Sequence, residues 1–123
     1  MVKIAYLIEA HTDIERLICL CDALLLSGDV FIHIDKKTTD SEFWMKLNTF
    51  VKEHSRVVVL KKRHYVAWAG FSQVECFKSL LSESLASEKK YDRFILLSGL
   101  DFPVWCPKRI VAFFENNKDK EFV

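Results

Sequence analysis

Glycine and proline are scarce, three and two in 123 residues. An all-β sandwich needs both at its many turns, so that class is excluded. Four cysteines, Cys19, Cys21, Cys76 and Cys106, are too few and too scattered for a disulfide scaffold. Cys19 and Cys21 form C-x-C, but positions two apart on a helix point about 200° away from each other. No second pair or nearby His completes a zinc set, and buried, reduced thiols are the expectation. An excess of either charge is missing as well. Eighteen Lys+Arg against 17 Asp+Glu leave +1, which is no electrostatic footprint for nucleic acid or an anionic membrane. The longest apolar stretch, Leu17 to Leu26, is broken by Asp22 and falls short of the ~20 residues of a membrane span. Met1 opens into a strand-like run without the basic and apolar regions of a secretory signal. The expectation is a soluble, cytoplasmic chain, with any membrane association supplied by a partner or another segment.

Several chemical signatures are absent too. There is no G-x-G-x-x-G dinucleotide loop and no G-x-x-x-x-G-K-[ST] phosphate loop. Ser98-Gly99 suggests a nucleophile turn, but no G-x-S-x-G elbow surrounds it. No D-x-D pair occurs, so the usual carboxylate clamp for a metal on a sugar nucleotide is missing.

What is present is core material and alternation. Half of the residues are apolar and 13% are aromatic, enough for one packed domain and too much for disorder. Lys3 to Ile8 is a near-continuous apolar run of the kind found in strands covered on both faces. Thr12 and Glu15 then suit a capping box, ahead of apolar residues at helical spacing from Ile14 to Leu25, with Ser27-Gly28 as the helix stop. Val30 to Ile34 reads as a second strand, and Thr39 with Glu42 as a second capping box before a helix through Phe43, Leu47, Phe50 and Val51. Val57 to Leu60 reads as a third strand. Ser72 and Glu75 form a third capping box before a helix through Val74, Phe77, Leu81 and Leu85. Phe94 to Leu97 reads as a fourth strand, and Pro107 suits the first turn of a helix carrying Ile110, Phe113 and Phe114. Strands alternating with capped helices predict βαβ units, hence an α/β fold with a mainly parallel sheet and helices on both faces. Glu121 to Val123 look like the start of a further strand, as if this were the front half of a larger sheet.

Ligands of open α/β sheets bind at the carboxyl ends of the strands. Those ends are Ala10-His11, Asp35, the Arg63 to Gly70 segment and Ser98 to Asp101. Two aspartates, a His, an Arg and Trp68 on one rim suit a ligand with a ring, hydroxyls and phosphates. Plainer roles compete: Asp35 and Asp101 also suit turns or helix caps, His11 a backbone hydrogen bond, and Trp68 a core or lid plug. Lys36-Lys37 and Lys61-Lys62 read most simply as solvated turn charges.

The strand ends together resemble one family. KIAYLIEAH (Lys3 to His11), FIHIDKK (Phe31 to Lys37), R-x-x-x-x-W-x-G-F-S-x-V-E (Arg63 to Glu75) and YDRFILLSGLDFP (Tyr91 to Pro103) are similar, in order and spacing, to blocks of the core-2/I-branching β-1,6-N-acetylglucosaminyltransferases. That family also includes the peptide O-xylosyltransferases. The resemblance covers essentially the whole chain but only about the N-terminal half of the family's domain. It implies a GT-A-like fold, with residues 1–123 as the nucleotide-sugar-binding half and the catalytic half absent. The implied activity is inverting transfer of GlcNAc or a related sugar from UDP-GlcNAc or UDP-xylose to a glycan or protein hydroxyl. No cofactor and no metal are implied, in keeping with the missing D-x-D. The resemblance implies donor-nucleotide contacts for Asp35 and Trp68, places Ala10 in the matching segment at the end of the first strand, and gives donor-side polar positions to Arg63 and Asp101; His11, at the same strand end, joins the expected donor-nucleotide site. It assigns the catalytic base, a Glu, to no residue of this chain, and the basic residues that neutralise the diphosphate also lie downstream. Glu9 departs from the pattern, standing where the family has a small or apolar residue; Trp105 and Cys106 depart where a basic residue and a Ser or Thr are common. A second reading, from another class, is a standalone sugar-nucleotide-binding or interaction module that pairs with a separate chain carrying the missing half.

Overall fold

The computed structural model describes residues 3–66, 71–87 and 89–98. Its elements alternate as β1 (Ile4–Ala10), α1 (Ile14–Leu24), β2 (Asp29–Ile34), α2 (Ser41–Glu53), β3 (Val57–Val59), α3 (Phe71–Ala86) and β4 (Arg93–Ser98). The four strands form one sheet in the order β3-β2-β1-β4, and every pairing is parallel. The chain steps outward from β1 to β3, then crosses back to place β4 on the other side of β1. The direction of winding therefore reverses between β1 and β4.

The continuous apolar runs of β1 and β2 follow from that position. Every residue of both strands is buried, because helices cover the two faces of the sheet. Alternation divides their side chains. Ile4, Tyr6, Ile8 and Ala10 join Leu17, Leu20, Leu24, Leu47 and Phe50 from α1 and α2 in one core. Ala5, Leu7 and Phe31 face the other way and pack with Leu60, Cys76 and Leu80 on the α3 side.

The capping boxes are displaced. The N-caps of α1 and α2 are Asp13 and Asp40, whose carboxylates accept from Arg16 N at 3.2 Å and Glu42 N at 3.0 Å. An ionised carboxylate satisfies the same orphan amides as a threonine hydroxyl and adds a favourable charge at the positive end of the helix. Asp13 sits at φ 57°, a left-handed conformation that Asp tolerates better than most residues. Helix α3 runs from Phe71, so Ser72 lies within it.

Gly28 also has a different purpose from the one its sequence suggests. Helix α1 ends at Leu24 with Leu25 as a right-handed C-cap, and no glycine among the described residues has positive φ. A Cβ on Gly28 would lie 2.5 Å from the Ile4 carbonyl oxygen and 2.9 Å from Tyr6 Cε2. The residue is small so that the α1–β2 turn can lie against β1, where Tyr6 and Ser27 share a 2.7 Å hydroxyl hydrogen bond.

Beneath this turn, Asp29 ties the amino ends of the strands together. It accepts from Arg56 Nε at 2.6 Å, Tyr91 Oη at 2.7 Å and Lys89 Nζ at 3.0 Å. Burial raises its pKa, but these donors outweigh burial and hold the carboxyl below its usual range.

Cys21 and Cys76 are buried as expected, and burial pushes both thiols up to about 12. Cys19 is exposed, which corrects the expectation of buried thiols there and agrees with the opposite-face geometry of C-x-C. Cys106, the expected helix after Pro107 and the expected strand at Glu121 to Val123 lie outside the described residues.

Candidate functional site

The carboxyl ends of β1 and β2 meet level with one another, Ala10 opposite Ile34. Two hydrogen bonds continue the pairing past the strands. Asp35 N donates to the Ala10 carbonyl at 2.9 Å, and Thr38 Oγ1 donates to the His11 carbonyl at 2.6 Å. Ala10 is buried and His11 half-buried at the lip.

Asp35 is only 2% exposed, yet it lies just past a strand end. Its Oδ1 accepts from Lys37 N at 2.9 Å, an Asx turn that folds the loop back. Its Oδ2 accepts from Val66 N at 3.3 Å and lies 3.6 Å from Lys37 Nζ. Lys37 Nζ also donates to the Val66 carbonyl at 3.0 Å, and Lys36 Nζ lies 5.3 Å from the centroid of the Tyr65 ring. These two lysines are therefore not merely solvated turn charges. They hold the Arg63 to Val66 segment beside the strand ends.

Arg63 reaches the rim by a different route from that expected of a ligand contact. Its Nε donates to the Ile34 carbonyl at 3.1 Å, and its Nη2 donates to the carbonyls of Asp35 at 2.7 Å and Thr38 at 2.8 Å. Its guanidinium carbon lies 4.7 Å from the centroid of the Trp44 ring, and Trp44 Nε1 donates to the same Thr38 carbonyl at 3.0 Å. Arg63 fixes the Asp35 to Thr38 turn, a job suited to a planar fork of donors.

The α3 side of the rim carries groups that motif reading did not single out as a unit. On β2, His33 is fully buried; its Nε2 accepts from His64 N at 2.9 Å, and the two rings stack 5.5 Å apart. His64 Nε2 in turn lies 2.9 Å from Ser79 Oγ on α3. Burial, then the neighbouring His64, press His33 down to about 4, so it is neutral at pH 7. With Nε2 accepting, its proton is assigned to Nδ1, a buried atom without a hydrogen-bond partner among the described residues.

Glu9 stands level with His33 on one side and Ser98 on the other. It is 7% exposed, and its buried Oε1 has no hydrogen-bond partner among the described residues. Burial raises its carboxyl above the usual range, with Asp35 adding to the rise while His11 and Lys37 oppose it. The signal for this pair was present in the sequence, since Glu9 and His33 interrupt apolar strands, but β-register was needed to bring them side by side.

The structure thus brings Ala10, His11, Asp35 and Arg63 together at one end of the sheet. Trp68 and Asp101 lie outside the described residues. Among the described residues no group of three or more His, Cys, Asp or Glu could hold a metal ion, and no helix is long and apolar enough to cross a membrane. Chemically the rim offers a buried carboxylate, strand-end carbonyls and amides, and a lysine that bridges two segments.

A parallel sheet whose winding reverses beside an inner strand, with helices on both faces, defines a doubly wound α/β fold. Comparison with known proteins makes this specific. Residues 4–123 match the Core-2/I-Branching enzyme family, and the chain belongs to it. It is 24% identical over 111 residues to a probable beta-1,3-galactosyl-O-glycosyl-glycoprotein beta-1,6-N-acetylglucosaminyltransferase 7 of Sus scrofa, covering 89% of this chain and 26% of that protein. It is 27% identical over 126 residues to xylosyltransferase 2 of Rattus norvegicus, covering 100% of this chain and 14% of the relative. With the human N-acetyllactosaminide beta-1,6-N-acetylglucosaminyl-transferase it shares 25% identity over 118 residues, 95% of this chain and 29% of that one. The chain therefore spans less than a third of the length of each of these relatives, all of which are glycosyltransferases by name.

Proposed function

We propose that the rim at Ala10, His11 and Asp35 binds the nucleotide of a UDP-sugar, and that these 123 residues are the donor-binding half of a GT-A-like, inverting glycosyltransferase. The sugar transferred is GlcNAc or a relative such as xylose, and the acceptor is a hydroxyl of a glycan or a protein. The observation that carries the reading is the buried Asp35 carboxylate, held by Lys37 N of its own turn and by Val66 N at the carboxyl ends of β1 and β2, in a chain of this family. Family resemblance adds Trp68, against the nucleotide, and Asp101 to the same site. Arg63 enters as a positioning residue for the Asp35 turn.

The reaction on this reading is a single displacement. The acceptor oxygen attacks the anomeric carbon from the face opposite UDP as a carboxylate takes its proton. None of the residues described here is assigned that base, and Asp35 is already engaged in holding its loop. A separate catalytic half supplies the base and the fixed positive charge that stabilises the leaving diphosphate without a metal; the lack of a D-x-D supports that assignment. The chain by itself then binds donor without transferring sugar. Calorimetry with UDP in the presence of EDTA tests the proposal. Metal-independent binding that falls about tenfold or more in Asp35→Ala is expected, from the loss of a charge-assisted contact. A folded chain that does not bind UDP overturns it.

A further inference from the structure

Glu9 is unusual in its setting. It projects from β1 onto the α3 side, where the preceding residues of that face, Ala5 and Leu7, are core. An apolar side chain would continue that core, and the buried carboxylate instead leaves Oε1 without a hydrogen bond among the described residues. Buried polar atoms are nearly always paired, and one left unpaired costs stability. The titratable and charged groups around it are His11 past the end of β1, Asp35 and Lys37 past the end of β2, His33 on β2 and Cys76 on α3. None of them bonds to Oε1. Glu9 also lies beside the strand-order reversal, level with Ser98 of β4, where open α/β sheets take their ligands.

We infer that Glu9 is a specificity-determining residue of this rim, its carboxylate kept for an N–H or O–H group on the neutral part of the bound nucleotide sugar. The inference rests on the donor-site reading above. A diphosphate has only acceptor oxygens and repels a carboxylate, so Glu9 faces the nucleoside or the sugar, both of which carry donors. Glu9 then trades stability for recognition, as residues at functional sites commonly do.

The test uses the full chain and its Glu9→Leu and Glu9→Gln variants, with uridine, UDP and UDP-GlcNAc as probes in calorimetry, and thermal unfolding alongside. Glu9→Leu is expected to melt a few degrees higher than wild type and to bind about tenfold or more weakly. Loss against uridine assigns the contact to the nucleoside, whereas loss against UDP-GlcNAc alone assigns it to the sugar. Glu9→Gln, which keeps the shape and one acceptor, is expected to lose less. Equal or tighter binding of all three probes by Glu9→Leu overturns the inference while leaving the donor site standing, as does a variant that melts lower. A wild-type chain that binds none of the probes overturns the donor-site reading and this inference together.

Discussion

Replacing His33 by Gln removes the group that ties stability to mild acid. In the folded chain His33 is fully buried and held near 4, against 6.5 for a free imidazole. Its native pKa is depressed, so the unfolded chain takes up the proton first as pH falls. The neutral ring's contribution is complete above 6.5, drains away as pH falls from 6.5 to about 4 and is spent below that. A gap of that size corresponds to about 3 kcal/mol at ~1.36 kcal/mol per pH unit. Glutamine offers an oxygen to the His64 amide that His33 Nε2 now accepts at 2.9 Å, so the fold has a substitute partner without a titrating group. Glu9 works in the opposite sense. Its raised carboxyl stabilises the fold below 4.5, and that contribution is lost as pH rises through its folded value, but it is present in both proteins. Urea unfolding at a series of pH values from 7.5 to 4 measures the difference. The wild-type free energy should fall more steeply than that of His33→Gln, by up to about 1.4 kcal/mol per pH unit. Parallel profiles would refute the placement of His33 as a buried, neutral ring.

Two further outcomes are expected. Gly28→Ala should cost about 2 kcal/mol or more in urea unfolding, because its new methyl meets the Ile4 carbonyl of the central strand at 2.5 Å and overpacking of this kind is not relieved by rotating a side chain; a cost below about 0.5 kcal/mol would contradict the close approach. Arg63→Lys should loosen the Asp35 to Thr38 turn, since an ammonium cannot fork to the three carbonyls that Arg63 now holds. Faster hydrogen exchange at the Thr38 amide, which donates to the Asp35 carbonyl at 2.9 Å, is the readout, and unchanged protection would show that the turn holds without the fork.

The α/β class and the parallel sheet were legible because β1 and β2 are buried on both faces and carry that fact as unbroken apolar runs. Strand limits moved by only a residue or two: β1 runs on to Ala10, and β3 stops at Val59. Caps were less legible. Thr12 and Asp13 are adjacent, as are Thr39 and Asp40, and both residue types cap well, so the spacing of a capping box did not decide between them. At the rim, carboxyl-end logic found Ala10, His11 and Asp35, since it needs only the strand limits. It could not foresee that Arg63 is engaged by backbone carbonyls and Trp44, because those contacts span 19 residues or more of sequence. Nor could it pair Glu9 with His33, which takes the register of two strands. Gly28 was recognised as special for the wrong reason, a conformation in place of a clearance, and only the neighbouring strand reveals the difference.

Mapping of UDP onto the chain by amide chemical-shift changes tests the central claim most directly. Binding at the strand carboxyl ends predicts the largest changes at Ala10, His11, Asp35, Lys37 and Val66, with little at Asp29, Arg56 and Lys89 across the sheet. Changes centred on the Asp29 end, or none at the Asp35 rim under saturating UDP, would contradict the assignment of this rim as the donor site.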